Sequence, residues 1–180
     1  MDSTITIFAG KTSSLTFKMK STIKPKEPRR TLVMAEVGYH PSQISFGAMV
    51  GIVSKNGAYL RFRSDFGSAS TELECDDTGA LANGTGTPYY KEGVTTKTRM
   101  SITAGYLRQI IKPLYAYIGA GYGNRVLAWE TIDGELVKNT DHSAAELGAI
   151  GRLGQFAVSV GFQTVNFKYH ELSAGIGFFF

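Results

Sequence analysis

The feature that most constrains this chain is a two-residue alternation of apolar and polar side chains, which runs from Thr31 to the C-terminus. Successive side chains of a β-strand point to opposite faces, so this alternation predicts strands, whereas a helix repeats every 3.6 residues. Helical periodicity is hard to find in the same region. The alternation predicts eight strands, at residues 31–40, 43–54, 58–67, 93–107, 114–128, 143–152, 156–166 and 169–180.

The lengths of these strands and of their connections suit a membrane barrel. Most have about ten residues or more, which exceeds the usual five or six of globular sheets and matches the nine to eleven that cross a bilayer. The connections at 55–57, 108–113 and 153–155 are short, whereas those at 68–92 and 129–142 are long and polar. Because transmembrane barrels place short turns in the periplasm, we expect both chain ends on that side.

Composition agrees with a single all-β domain and excludes several other classes. The 180 residues include 21 glycines, 11 phenylalanines and 9 tyrosines, and the single cysteine, Cys75, cannot form an internal disulfide or a multi-cysteine metal site. The net charge of +4 does not predict nucleic-acid binding, because the excess lies in one short stretch and is not interleaved with stacking aromatic residues. That stretch contains Lys18, Lys20, Lys24, Lys26, Arg29 and Arg30.

The two faces of the strands indicate which side meets lipid. In the last strand, one face is apolar throughout, with Leu172, Ala174, Ile176, Phe178 and Phe180, and the other is small or polar except for Phe179. Glycines recur on the polar face, where they suit a crowded lumen but would only weaken strands on a water-exposed surface. We therefore predict that the apolar face points to lipid. Aromatic residues near strand ends of that face suit interfacial girdles, namely Tyr39, Phe46, Tyr106, Tyr122 and Phe178.

The polar face carries charges of both signs in near balance. Charges that cannot reach bulk water must pair with each other, because an unpaired buried charge costs several kcal/mol. The balance therefore predicts a lumen closed by salt bridges, which disfavours conduction of large solutes. The predicted lumen network consists of Glu36, Arg61, Arg63, Asp65, Lys97, Arg99, Glu146, Arg152 and Glu171.

The C-terminal sequence "LSAGIGFFF" resembles the assembly signal of Gram-negative outer-membrane β-barrels, which ends in an aromatic residue preceded by apolar residues at every second position. Leu172, Ala174, Ile176, Phe178 and Phe180 fit this pattern. The stretches "SFGAMVGIVSKNGAYLRFRSDF" and "GAGYGNRVLAWETIDGELVKNTD" further resemble small outer-membrane barrel domains of Bacteroidota. This resemblance covers residues 31–180 and implies a cell outer-membrane location and recognition by the barrel-assembly machinery, with no catalytic residues.

The N-terminal part is predicted to lie outside the barrel. Residues 1–20 contain two short alternating runs, which predict a periplasmic hairpin, and "TITIFAGKTSSLTFKMK" resembles the last two strands of a PEGA-type domain, so this segment is interpreted as a remnant of one. Residues 21–30 are predicted to form a basic linker, because they combine prolines with charges.

The leading functional hypothesis is a non-enzymatic anchor or surface-binding barrel, whose loops 68–92 and 129–142 meet an external partner and whose exterior meets outer-membrane lipid. A soluble lipid-carrier barrel and a lipid-modifying enzyme remain as alternatives. There are two candidate pairs of base and nucleophile, His142 with Ser143 and His170 with Ser173. The members of each pair are an odd number of residues apart, so a strand would point them to opposite faces. No cofactor or metal is predicted.

Overall fold

The computed structural model describes Gly10 and residues 28–68, 73–75, 90–131 and 136–180. The predicted hairpin at 1–20 lies outside these residues apart from Gly10, and the predicted linker lies outside them up to residue 27. In the described part of the chain, no helix is long and apolar enough to span a membrane. The described strands are β1 (Arg30–His40), β2 (Gln43–Val53), β3 (Asn56–Ser64), β4 (Leu73–Glu74), β5 (Tyr90–Ile111), β6 (Leu114–Thr131), β7 (Leu136–Leu153), β8 (Phe156–Val165) and β9 (Tyr169–Phe179).

All of these strands except β4 close into one antiparallel barrel. Each pairs with the next along the chain, with β3 joined to β5. The ring is completed by β1 and β9, where Val33 lies opposite Phe178. The short β4 lies outside the ring and pairs in parallel with β7, with Leu73 opposite Val137. The predicted eight-stranded up-and-down barrel is therefore confirmed.

The two ends of the barrel differ in their connections. One end, called here the short-turn end, holds the start of β1, the C-terminus and the turns at 54–55, 112–113 and 154–155. At the last of these turns Gly154 has a φ of +68°, which glycine adopts without strain. The opposite end, called here the loop end, holds the turns at 41–42 and 166–168 and the connections on either side of β4 and between β6 and β7.

Three strands continue past the barrel at the loop end. β3 ends at Ser64, opposite Met100, and β8 ends at Val165, opposite Ala144. Residues 90–99 of β5, 124–131 of β6 and 136–143 of β7 therefore extend beyond their neighbours and form a three-stranded projecting sheet. Because the turns at 41–42 and 166–168 are short, this extension is confined to one side of the rim.

The projecting sheet corrects one prediction about the loops. Residues 129–131 and 136–142, predicted to be part of a loop, are strand. Their polarity was interpreted as a loop signal, but β6 and β7 continue to pair beyond the rim of the barrel, and the few apolar side chains there, such as Ala128 and Val137, are buried. This pairing depends on contacts between distant parts of the chain, which the local polarity does not indicate. Of the predicted loop 68–92, the structure describes residue 68, the short β4 with Cys75, and the first residues of β5.

The barrel wall separates an apolar exterior from a charged interior. Val160, Leu172 and Ile176 are 62%, 62% and 70% exposed on the outside, whereas Arg61 and Glu146 are 1% and 3% exposed inside. The predicted girdle residues Tyr39, Phe46, Tyr106, Tyr122 and Phe178 all lie on the exterior as well. This is the reverse of a water-soluble barrel, whose apolar side chains fill the interior.

Candidate functional site: the closed lumen

A network of buried ion pairs crosses the middle of the lumen. Arg61 lies between two carboxylates, with its Nε 2.7 Å from Glu36 Oε2 and its terminal nitrogen 2.6 Å from Glu146 Oε2. Arg63 lies 3.7 Å from the same Glu146 oxygen and also pairs with Glu171. Glu171 pairs in turn with Arg99. Three arginines and three glutamates thus form one network, and their formal charges cancel.

The strand pattern explains how five separate strands supply this network. Arg61 and Arg63 are two residues apart on β3, so both point inward, and Glu36 on β1, Glu146 on β7 and Glu171 on β9 share that inward parity. All six side chains of the network are at most 4% exposed. Water therefore contributes little to their solvation, and each charge depends on its protein partners.

Polar neighbours add hydrogen bonds to two of the carboxylates. Tyr59 and Thr103 each donate a hydrogen bond of 2.7 Å to Glu146 Oε1. Ser45 donates to Glu171 Oε1 at 2.9 Å. The guanidinium of Arg61 lies 4.6 Å from the ring centroid of Tyr117, within the range of a cation–π interaction. Such additional bonds are what make a buried ion pair tolerable.

Three residues of the predicted lumen network lie elsewhere. Asp65 is half-buried at the loop end, where its carboxylate accepts hydrogen bonds from the Gln43 side chain and from the backbone N–H of Arg99. Lys97 is exposed on the projecting sheet, because β5 has passed the end of β3. Arg152 is half-buried at the short-turn end, one residue before β7 ends, and its Nε donates to Gly154 O at 2.7 Å. Asp65 and Lys97 therefore lie on the loop-end side of the central network, and Arg152 lies on its short-turn side.

A second, apolar layer fills the lumen between the network and the short-turn end. Leu32, Met49, Leu107 and Ile150 have no exposed surface there, and Tyr115 packs on Phe179 with ring centroids 5.6 Å apart. Sequence reasoning noted Phe179 as an exception on the polar face but missed this layer. The sequence does indicate this layer, because Leu32 and Met34 lie an even number of residues from Glu36 on β1 and therefore point to the same inner face. The charged network and the apolar layer together close the lumen.

Within the described part of the chain, the candidate pair of base and nucleophile His170 and Ser173 is not brought together. His170 stacks on Phe162 on the exterior, whereas Ser173 is buried inside, so the barrel wall separates them. His142 is exposed and bonds to Tyr122 through Nδ1 at 3.0 Å. Among the described residues, no group of three or more His, Cys, Asp or Glu side chains could hold a metal ion. The chemistry that this site supports is electrostatic closure.

Lumen glycines allow large side chains to cross the barrel. A Cβ atom added at Gly161 would overlap the hydroxyl of Tyr117, which also borders Gly148. At Gly151, which faces outward between the inward-facing Ile150 and Arg152, the nearest atom, Val158 O, lies 3.9 Å from such a Cβ, which is ordinary contact. We therefore expect Gly161→Ala to lower the free energy of unfolding by about 1–3 kcal/mol through overpacking.

The measurement is chemical denaturation of the folded barrel, with Gly151→Ala as the matched control. The control is expected to stay within about 0.5 kcal/mol of the parent. Adding Tyr117→Phe to Gly161→Ala removes the clashing oxygen and is expected to recover part of the loss. Equal losses for the two alanine variants would show that crowding by Tyr117 is not the cause.

Comparison with known proteins identifies the fold. No protein-family model and no curated protein matches the sequence. Among solved structures, Ail of Yersinia pestis in a phospholipid bilayer nanodisc aligns with a TM-score of 0.50 at 15% identity, over 85% of this chain and 100% of that chain. The N-terminal β-barrel domain of Pseudomonas aeruginosa OprF aligns with a TM-score of 0.49 at 12% identity, over 84% and 97%. The fold is that of small outer-membrane β-barrels.

Proposed function

We propose that the protein is a non-enzymatic barrel of the outer membrane that anchors the projecting sheet at the cell surface, where the sheet meets an external partner. The observation that carries this proposal is the inverted barrel, with apolar side chains outside and a neutral network of buried charges inside. The resemblance to Bacteroidota barrels and to a PEGA-type remnant stays a prediction, the second because residues 1–20 apart from Gly10 lie outside the described part.

The exterior supports insertion into lipid. Large apolar side chains face outward on every strand of the ring, among them Val50 on β2, Leu60 on β3, Ile118 on β6 and Leu147 on β7. Monomeric water-soluble proteins rarely expose a contiguous apolar surface of more than a few hundred Å². A band around a closed barrel is the arrangement that a bilayer requires, because closure leaves no unpaired strand edge in hydrocarbon.

The interior supports an anchoring role rather than transport. A solute passing through would have to separate the ion pairs of Arg61 and Arg63 and displace the apolar layer at Leu32 and Ile150. Separating a buried ion pair costs several kcal/mol for each uncompensated charge. The same filling argues against a lipid carrier, because ionised side chains occupy the space that an acyl chain would need.

The projecting sheet supports a role in binding outside the membrane. Its longest strand, β5, has 22 residues, of which 90–99 lie beyond β3, a rise of about 30 Å along the strand. Short turns in the periplasm are the rule for such barrels, and this rule places the projecting sheet on the outer surface. The proposed orientation also places both described chain ends in the periplasm.

Two experiments test the proposal. Purified chain is folded into liposomes and treated with trypsin, and we expect the barrel to be protected while the projecting sheet is cut at its lysines. Complete digestion would contradict insertion.

In the second experiment, a two-residue turn joins Arg125 to Asp141, which lie opposite each other, so that the top of the projecting sheet is removed. This chain should insert like the parent but lose its biological effect, and full effect would contradict the role of the sheet.

The C-terminal residue offers a separate test of recognition by the assembly machinery. The Phe180 side chain is exposed, while its backbone N–H donates to Thr31 O at 2.8 Å, so Phe180→Ala leaves that backbone bond in place. We expect about the same refolding yield into detergent but less folded barrel in cells. Leu153→Ala, another exposed apolar residue at the short-turn end, is the control. Equal cellular yields for both variants would contradict recognition of Phe180.

A further inference from the structure

Among the described residues, the charged side chains at the short-turn end of the barrel are all basic, and the C-terminal carboxylate of Phe180 lies beside Thr31 at the same end. In the described ranges, every aspartate and glutamate lies between the middle of the lumen and the loop end. The cations at the short-turn end come from the start of β1, the ends of β5 and β7, and two turns. They are Arg29, Arg30, Lys55, Arg108, Lys112 and Arg152.

Half of these cations line one pocket. The pocket has a volume of about 320 Å³, and Arg30, Lys112 and Arg152 contribute to its wall together with Ser54 and Gln109. This volume is at the lower end of the range of about 300–1,000 Å³ for small-molecule sites. A phosphate group with a few attached atoms matches both the size and the charge of the pocket.

Backbone hydrogen bonds hold the walls of the pocket together. The N–H of Arg152 donates to Pro113 O at 3.0 Å, and the N–H of Gln109 donates to Lys55 O at 2.7 Å. The Arg152 guanidinium is oriented by its bond to Gly154 O and lies 5.5 Å from the ring centroid of Phe179. The charged groups are therefore carried by connected turns, so little ordering is needed when an anion binds.

The pocket lies directly beside the apolar exterior. Ile111 precedes Lys112, Leu114 follows Pro113, and Leu153 follows Arg152, and all three apolar side chains are exposed on the outside of the barrel. A ligand held by the cations would therefore have an apolar surface within reach of any attached hydrocarbon. This combination of a cationic pocket and an adjoining apolar rim fits a phospholipid.

We propose that this pocket binds phosphate, and that its source is the headgroup of an anionic phospholipid at the membrane surface. The planar guanidinium groups of Arg30 and Arg152 can each bind phosphate oxygens through two N–H groups, and Lys112 adds a point charge. The acyl chains then lie against Ile111 and Leu153. The choice of a lipid source rests on the proposed membrane insertion, whereas the phosphate site does not.

The experiment titrates the folded, detergent-solubilised barrel and follows backbone amide signals at Ser54, Lys112 and Gly154. The probes are short-chain phosphatidylglycerol, short-chain phosphatidylcholine and inorganic phosphate. We expect saturable shifts with phosphatidylglycerol at the lowest concentration. Equal affinity for inorganic phosphate would overturn the lipid source but keep the site, and no saturable shift with any probe would overturn the site.

Matched variants separate the pocket from general surface charge. Each removed charge is worth about fivefold in affinity for an anionic lipid, so Arg30→Gln with Lys112→Gln should weaken binding roughly 25-fold. Lys55→Gln with Arg108→Gln removes two charges from the same end but outside the pocket, and should change affinity less than twofold. Equal loss of lipid affinity in both double variants would overturn the pocket as the binding site. Because the barrel is folded in detergent, none of these outcomes depends on the liposome experiment.

Discussion

Replacing Glu146 by glutamine is expected to lower the free energy of unfolding by about 3–5 kcal/mol, the usual cost of removing one partner from a buried ion pair. Glutamine keeps the shape of the side chain and can still accept hydrogen bonds from Tyr59 and Thr103. What is lost is the negative charge between Arg61 and Arg63. The lumen then carries one uncompensated positive charge in a region from which water is excluded. Urea denaturation of the barrel in detergent or lipid measures the effect.

Two controls show whether charge balance is the cause. Lys97→Gln removes a charge from the exposed part of β5 and should change stability by no more than about 0.5 kcal/mol. Adding Arg63→Met to Glu146→Gln leaves two neutral pairs, Glu36 with Arg61 and Glu171 with Arg99. This double variant should therefore be more stable than Glu146→Gln alone. If the loss of stability in the double variant equals the sum of the losses for Arg63→Met and Glu146→Gln alone, the network does not act through its net charge.

The alternation of the sequence predicts which face a side chain occupies, but not its depth along the barrel. Parity placed Glu36 and Arg61 inside, and the structure brings both into the network. Lys97 and Arg152 have the same inward parity, yet one lies past the rim and the other at the short-turn end. Depth depends on the register between neighbouring strands, which is set by pairing around the whole ring.

The partners of each charge were also beyond the sequence. Arg61 pairs with Glu36 on β1 and Glu146 on β7, which are 25 and 85 residues away along the chain. Composition predicted that the charges balance, but only closure of the ring brings these strands within reach of each other. The apolar layer was missed for a related reason, because the inner face was expected to be mixed in polarity and its apolar members were not seen to share one level.

A charge placed on the outside of the barrel provides the sharpest test of where lipid lies. Val160 is near the middle of β8, opposite Ala149 and Ala174, and points outward. In hydrocarbon, arginine at such a position costs about 2–4 kcal/mol near the bilayer midplane. We therefore expect Val160→Arg to lower the free energy of unfolding in lipid bilayers by about that amount.

The control for Val160→Arg is the same change near a rim. Ile44 is 51% exposed and is the second residue of β2 at the loop end, so an arginine there can reach the headgroup region. Ile44→Arg should cost only about 0–1 kcal/mol. A gradient between the two positions follows if the exterior crosses a bilayer, because only a membrane makes the cost of a charge depend on depth. Equal costs for both variants would mean that the outer surface meets a uniform solvent, which contradicts the proposed insertion.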